Sequence, residues 1–505
     1  MMRSKSNYSY EDAKPQKDSN YWSATENNST NAWNVNFSNG NVNNNNKNNS
    51  YVVRPVTAHD GLYYSFDRLP EGASCDESFL KFFETVHIAY LDCLRRKMSS
   101  SQALEYMQEA WIDLPYLAWE LWSGTYTPST STCFLVRYPK LREVFAANFR
   151  DRIVHHWICI RMEPLFEERF VSQGDVSFNC RKGFGTDRCV KHCADGMKEV
   201  SDGFKKPAWI FKGDISGFFM SINKKLLWYL LSRFITRWRK RYEREGWNRI
   251  GMDILDRLRM SEMPEMYWDI LIRTVEVVVM HHPENDCVLN SPVSMWNGLA
   301  PNKSLFGRGE ETGEPIGNLT TQLFANFYMS FFDSFVLFLF RQKKHSYERF
   351  VDDWDNKCDD KEFLLQAIPK MEAFLLDKMK LKMHKAKRYI QPVTHGISLV
   401  GAYIKPGRIY LSNRTLARFM ERAVGFRRLI ETKEELSTLD CKRIEQVINS
   451  YLGFCKDRHT YRKRKEIIGA IGNAFYRYFY VRGHYKSIRV RTKYKEIEFP
   501  FELAA

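Results

Sequence analysis

Apolar and polar positions change period along this chain, and the changes mark out its elements. From His59 to about Trp122 the pattern is helical: Ser78–Leu91 places apolar residues three and four apart. Arg152–Met162 repeats that spacing, and Ser177–Arg181 reads as a short strand. Ala208–Asp214 has the apolar content of a buried strand, yet it ends in a carboxylate. Residues 225–300 are largely helical, with irregular loops near 281–303. Thr320–Phe340 predicts a long apolar helix. The segment around Phe350-Val351-Asp352-Asp353 predicts a hairpin with acidic residues at its tip. From Asn413 onward helical periodicity returns, now with many basic residues. No internal structural repeat is visible.

The first 56 residues follow neither period. Between Asn27 and Asn49, 13 of 23 residues are Asn. Such a tract offers too little apolar surface to offset the entropy of ordering, so disorder is expected over 1–56.

Charge narrows the class of partner. The 505 residues carry a net charge of +16, which favours a polyanion because binding releases counterions from phosphates. Aromatic residues interleave with bases in Tyr476-Arg477-Tyr478-Phe479-Tyr480-Val481-Arg482, a mix suited to a backbone groove with stacking surfaces. The 11 cysteines include no CxxC pair, as expected of reduced thiols. Cys189-Val190-Lys191-His192-Cys193 lacks a second ligand pair at zinc spacing. No apolar stretch is expected to span a bilayer: the best candidate, Phe327–Phe340, is short and contains Asp333. The polar N-terminus has no signal-peptide core, so a cytoplasmic location is expected.

The chemistry rests on three carboxylates in apolar surroundings. Asp214 closes Phe211-Lys212-Gly213-Asp214, and Asp352 and Asp353 sit side by side in the hairpin. Between them lies Gly313-Glu314-Pro315-Ile316-Gly317-Asn318-Leu319-Thr320-Thr321-Gln322. Either acidic motif alone is an ordinary turn signal. Carboxylates gathered at strand ends, however, can hold two divalent ions for phosphoryl transfer.

In this order the three segments resemble motifs A, B and C of reverse transcriptases and, more narrowly, of diversity-generating retroelement reverse transcriptases. The resemblance covers about residues 120–480. It implies an α/β (α+β) right-hand polymerase with fingers, an antiparallel palm sheet plus helices, and a helical thumb. Asp214, Asp352 and Asp353 would be catalytic and would hold two Mg²⁺ ions (or Mn²⁺), with the backbone carbonyl of Ile215 as a further ligand. Phe219 matches the aromatic gate against a 2′-hydroxyl, leaving Phe218 to the core. Ile316, Gly317 and Gln322 would line the nucleotide site. Ile316 stands where most reverse transcriptases carry Gln, and the loss of that polar contact fits low-fidelity copying at adenine. Arg181 and Lys182, in Arg181-Lys182-Gly183-Phe184-Gly185, resemble the triphosphate-binding fingers motif. Lys387, in Met383-His384-Lys385-Ala386-Lys387, would protonate the departing pyrophosphate. Arg152, His155 and His156 resemble the preceding motif and carry no expected catalysis. Gly396–Gly401 resembles the primer grip.

The implied boundaries are 1–56 template-repeat-like, 57–122 helical, 123–211 fingers, 212–405 palm with a helical insertion at about 225–300, and 406–505 thumb and tail. The Asn-rich segment reads as a template repeat translated in frame, since Asn codons begin with two adenines. Implied partners are template RNA, primer or cDNA, dNTPs and a small basic accessory variability protein, with no membrane. Two alternatives stand beside this reading: a retron-like or anti-phage defence reverse transcriptase, and a non-catalytic nucleic-acid-binding protein.

Overall fold

The computed structural model describes residues 64–494, apart from 72, 96, 98–99, 138–139, 246–264 and 457, and before residue 64 the backbone of strands alone. Helices and several small antiparallel sheets alternate along it, an α+β arrangement. The chain divides into two compact units, residues 1–172 with 217–329 and residues 173–216 with 330–505. The division follows neither of the expected fingers–palm–thumb boundaries. It cuts just after Asp214 and again within the long apolar helix.

The first unit is built on helices. Glu77–Leu94 begins at an Asp76 side chain that accepts from the Phe79 N–H, and Ser101–Ser123 begins at Ser100 in the same way. With Phe149–Ser172 and Glu265–Met280 they bury an aromatic core that includes Phe79, Phe82, Trp157 and Tyr267. Ser131–Val136 pairs antiparallel with Arg142–Ala146 and parallel with Cys287–Leu289. Buried Glu143 accepts from Trp296 Nε1, Ser304 Oγ and the Leu305 N–H, which ties the irregular 293–305 segment to that small sheet.

Two expectations fail at the N-terminal end. The backbone of Asn20–Glu26, Asn31–Asn36 and Val42–Asn46 forms a three-stranded antiparallel sheet where disorder was expected. Trp33 and Val35 alternate with asparagines, a period-two pattern that the residue count hid. The rest of 1–56 lies outside the described residues. The region expected to be helical from 57 opens with a hairpin, Val56–His59 and Leu62–Ser65.

The second unit centres on a four-stranded antiparallel sheet. Its strand order is His345–Phe350, Asp353–Cys358, Trp209–Gly213, Tyr389–Pro392. Helix Thr186–Val200 packs on one face, and Trp354 and Phe211 lie on the other, their rings 5.3 Å apart. A Cβ at Gly213 would meet the Trp354 ring at 2.3 Å, so this strand end needs glycine. Beyond the sheet come a three-stranded meander over residues 397–411, then helices Asn413–Thr432, Thr438–Cys455 and Tyr461–Ala470. A closing hairpin, Phe479–Arg482 with Ser487–Val490, replaces the helix expected there.

Helix Leu319–Phe340 corrects the expectation that no segment could span a bilayer. It has 22 residues and is long and apolar enough by composition, but 67% of its most apolar window is buried inside the protein. Its Asp333 is fully buried and paired with Arg349.

Candidate active site

The Trp209–Gly213 strand ends one residue before Asp214. Ile215 then bridges to Met383, the Ser216 N–H donates to Lys382 O, and the His384 N–H donates to Asp214 O. The backbone after the strand is thereby laid against the 382–384 segment. That segment leads into a turn over Lys385–Lys387, which carries Lys387 Nζ to both carboxylate oxygens of Asp214, at 2.8 and 2.9 Å.

The hairpin supplies the other two carboxylates. Phe350 pairs with Asp353, so Val351 and Asp352 form a two-residue turn. Such turns need positive φ and favour Gly or Asn; here β-branched Val351 takes it, at φ 62°. Neighbouring side chains hold it there. Asn179 Oδ1 accepts from the Val351 N–H at 2.8 Å, and Arg349 Nη1 donates to Val351 O at 3.0 Å. Arg349 is itself clamped by Asp333, through Nε at 2.7 Å and Nη2 at 2.6 Å. Residues 176–178 run parallel to the hairpin's first strand, which brings Asn179 to the turn.

Electrostatics separate the aspartates. Burial, then the like charge of Asp214, pushes the Asp352 carboxyl up to about 6. Asp353 instead accepts from Lys212 Nζ. Burial opposes the Lys212 charge, but Asp353 and Asp355 outweigh it and hold the ammonium above its usual range. Among the described residues, one group of three brings its ligand atoms within 4.8 Å of each other, Cys193, Glu348 and Asp355. Lys357 Nζ already fills it, 2.5 Å from each carboxylate. The three aspartates stand further apart, with a lysine drawn to each end of the set.

Of the residues singled out in the sequence, Asp214, Ile215, Asp352, Asp353 and Lys387 come together in the second unit. Phe219 and the Gly313–Gln322 segment meet in the first, where the Glu314 N–H donates to Phe219 O at 2.9 Å. Phe218 is buried and Phe219 half-buried, and residues 218–221 form a helical turn and not a strand. Gly317 is required by an approach within the protein: at φ 137° its Cβ would stand 2.3 Å from Phe145 O. Ile316 packs beside Phe145, Met220 and Leu305, and its carbonyl accepts from the Phe145 N–H. Gln322 is exposed. His155 is structural, its Nδ1 2.8 Å from Thr320 Oγ1.

Arg181 points into the protein. Its side chain is 1% exposed, donates to Asp175 and Ser177 O, and stacks on Phe184. It braces the loop by joining Asp175, Ser177 and Phe184. Lys182 is exposed, as is Arg188, whose guanidinium also lies over Phe184 at 3.7 Å. Sequence reasoning missed Arg188, Asn179, Arg349 and Lys212. Only Lys212 carried a signal, a lysine inside an apolar strand two residues before Asp214.

No protein-family profile matches the chain. Protein YkfC of Escherichia coli (strain K12) is 30% identical over 129 residues, 25% of this chain and 32% of that protein. The chain thus matches about a third of its curated relative's length. Among solved structures it is similar to apo telomerase from Candida tropicalis truncated from its C-terminal domain. Identity is 12%, coverage is 56% of this chain and 55% of that one, and the TM-score is 0.37. Telomerase from Candida albicans in complex with a telomeric RNA fragment gives 11% identity, 70% and 60% coverage, and a TM-score of 0.37. Likeness at that level carries no functional argument.

Proposed function

We propose that this chain is an RNA-directed DNA polymerase, a reverse transcriptase of a diversity-generating retroelement, active in the cytoplasm. One observation carries the polymerase reading: a sheet brings Asp214, distant in sequence, to the hairpin bearing Asp352 and Asp353. Asp352 and Asp214 fit divalent cations because both the burial of Asp352 and the like charge of Asp214, which together raise the Asp352 carboxyl, are offset by positive charge between them. Asp214, Asp352 and the Ile215 carbonyl would hold two Mg²⁺ ions (or Mn²⁺), with Asp353 assisting. When bound, such ions activate a 3′-hydroxyl and neutralise a departing pyrophosphate. Lys387, 49% exposed at its side chain, leaves Asp214 and delivers a proton from Nζ to that leaving group. Phe219 excludes the 2′-hydroxyl of ribonucleotides. Exposed Lys182 and Arg188 attract the triphosphate.

The retroelement subtype rests on Ile316 and Gln322 and on the Asn-rich N-terminal frame. Its partners are a template-repeat RNA, a primer, dNTPs and a small basic accessory variability protein, and its product is adenine-mutagenised cDNA that diversifies a variable gene. The test is primer extension on RNA with Mg²⁺ and the accessory protein, with Asp352→Asn as control and the cDNA sequenced. Extension with errors opposite template adenines is expected. Accurate cDNA would replace the subtype with a retron-like or defence enzyme. Extension undiminished by Asp352→Asn would remove the catalytic assignment.

A further inference from the structure

Two lysines reach the acidic centre, and they differ in freedom. Lys387 sits on a turn with its side chain 49% exposed. Lys212 lies inside the sheet, paired on one side with Asp355 and on the other with Tyr389, its side chain 11% exposed. Side chains alternate along a strand, so Lys212 shares the face of Asp355, and Asp353, two residues before Asp355, shares it too. The Lys212 ammonium bonds the Asp353 carboxylate. Swinging Lys212 out would strand its charge among the buried groups of that face, at a cost that a surface lysine does not meet.

We propose that Lys212 is a fixed counter-ion that positions Asp353, holding it aside so that Asp214 and Asp352 take the divalent ions. Lys387 is then the exchangeable cation that yields its place on Asp214. The inference rests on the nucleotidyl-transfer reading and deepens it. Lys212 acts through Asp353 and touches neither substrate nor product. Its function is to divide three carboxylates into a binding pair and a braced third.

The experiment uses the full chain and Mn²⁺ as probe, with free Mn²⁺ followed by electron paramagnetic resonance without nucleotide or template. Lys212→Met frees the Asp353 carboxylate to turn toward the pair, so Mn²⁺ binding is expected to tighten about tenfold. Extension at saturating Mg²⁺ should fall about tenfold in kcat with little change in the dNTP KM, and Lys212→Arg should restore part of both. Asp353→Asn provides the cycle: in the Asp353→Asn background, Lys212→Met should alter Mn²⁺ binding far less than in the parent. Mn²⁺ affinity unchanged in a folded Lys212→Met protein overturns the proposal, as does an equal effect in both backgrounds. Should Lys212→Met not fold, Asp353→Asn set beside Asp352→Asn decides it: a loss of Mn²⁺ affinity as large in the first as in the second would make Asp353 a ligand of the ions and overturn the proposal. If extension never occurs with any protein while Mn²⁺ binding follows the cycle, the polymerase reading fails and the counter-ion assignment stands.

Discussion

The hairpin His345–Cys358 and the helices that follow Asn413 belong to one unit, yet they bury opposite kinds of side chain. In the hairpin Glu348, Arg349, Asp355, Asn356 and Lys357 are all fully buried. In the helices the core is Phe426, Ile430, Ile444, Ile448, Leu452, Ile467, Ile468 and Phe475, with Arg458 and Arg464 as the buried cations. Aliphatic contacts tolerate exchange at similar volume. Buried charges do not, because each is tolerable only beside its partner. Lys357 bonds Glu348 and Asp355, and His192 lies 3.2 Å from Glu348. Burial favours the neutral form of Glu348, but Lys357 and His192 keep its pKa low; burial and then Glu348 raise that of Asp355. The sheet that presents the aspartates is therefore built on pairwise electrostatics, and the helices beyond it on area.

The largest contrast is between chemistry and stability at the hairpin tip. Asp352→Asn should cut primer extension about 10³-fold, the scale expected when a group stabilising transition-state charge is lost. The same change removes a charge held against Asp214, so metal-free thermal stability should hold or rise. A fall in both would mean that Asp352 serves the fold.

Next comes a matched pair of substitutions. Lys357→Met keeps the approximate shape but removes the buried cation that Glu348 and Asp355 share, and should cost about 3–5 kcal/mol in denaturant unfolding. Ile448→Leu in the helices should cost less than about 1.5 kcal/mol. Equal losses would erase the distinction between the two regions.

This contrast also explains what was legible in the sequence. Helix Asn413–Thr432 and helix Thr438–Cys455 follow from spacing, because aliphatic burial leaves a period. The strand before Asp214 and the acidic hairpin follow from apolar runs ending in carboxylates. The partners do not follow. That Lys212 answers Asp353 and Asp333 answers Arg349 depends on register between segments far apart in sequence, which no local pattern encodes. The pairing of Arg181 is hidden for the same reason: an arginine in a basic turn looks solvated until Asp175 is placed beside it. The asparagine strands were missed because composition was weighed and alternation was not.

A buried carboxylate that a nearby lysine only partly offsets extends the comparison to the first unit. Glu314 is 3% exposed and its Oε1 accepts no hydrogen bond. Burial pushes its carboxyl up to about 7, although nearby Lys224 pulls the other way. The folded state therefore keeps a proton that the unfolded chain loses near its ordinary value of 4.5. Between those values stability should fall as pH rises, by up to about 1.4 kcal/mol per unit, and should level off above about 7. Glu314→Gln should remove that component of the slope, as followed by melting temperature against pH. A slope unchanged in the variant would place the titration elsewhere.

The smallest effect expected is at Val351, where the two styles of construction meet. Its left-handed backbone costs a non-glycine residue about 1–2 kcal/mol, and Val351→Gly relieves that. Glycine also adds about 0.5–1 kcal/mol of entropy to the unfolded chain, so the net gain should stay within about 1.5 kcal/mol. The bonds from Asn179 and Arg349 reach the Val351 backbone and survive the substitution. Extension should nevertheless fall several-fold, because a glycine turn lets the Asp352 peptide rotate and the carboxylate lose its bearing. Asn179→Ala separates the two contributions: it keeps the valine but leaves the Val351 N–H without its acceptor, and should cost about 1–3 kcal/mol. If Val351→Gly raised stability and extension together, the strain at the turn would have no part in aiming Asp352, and the Asp333–Arg349–Asn179 clamp would serve folding alone.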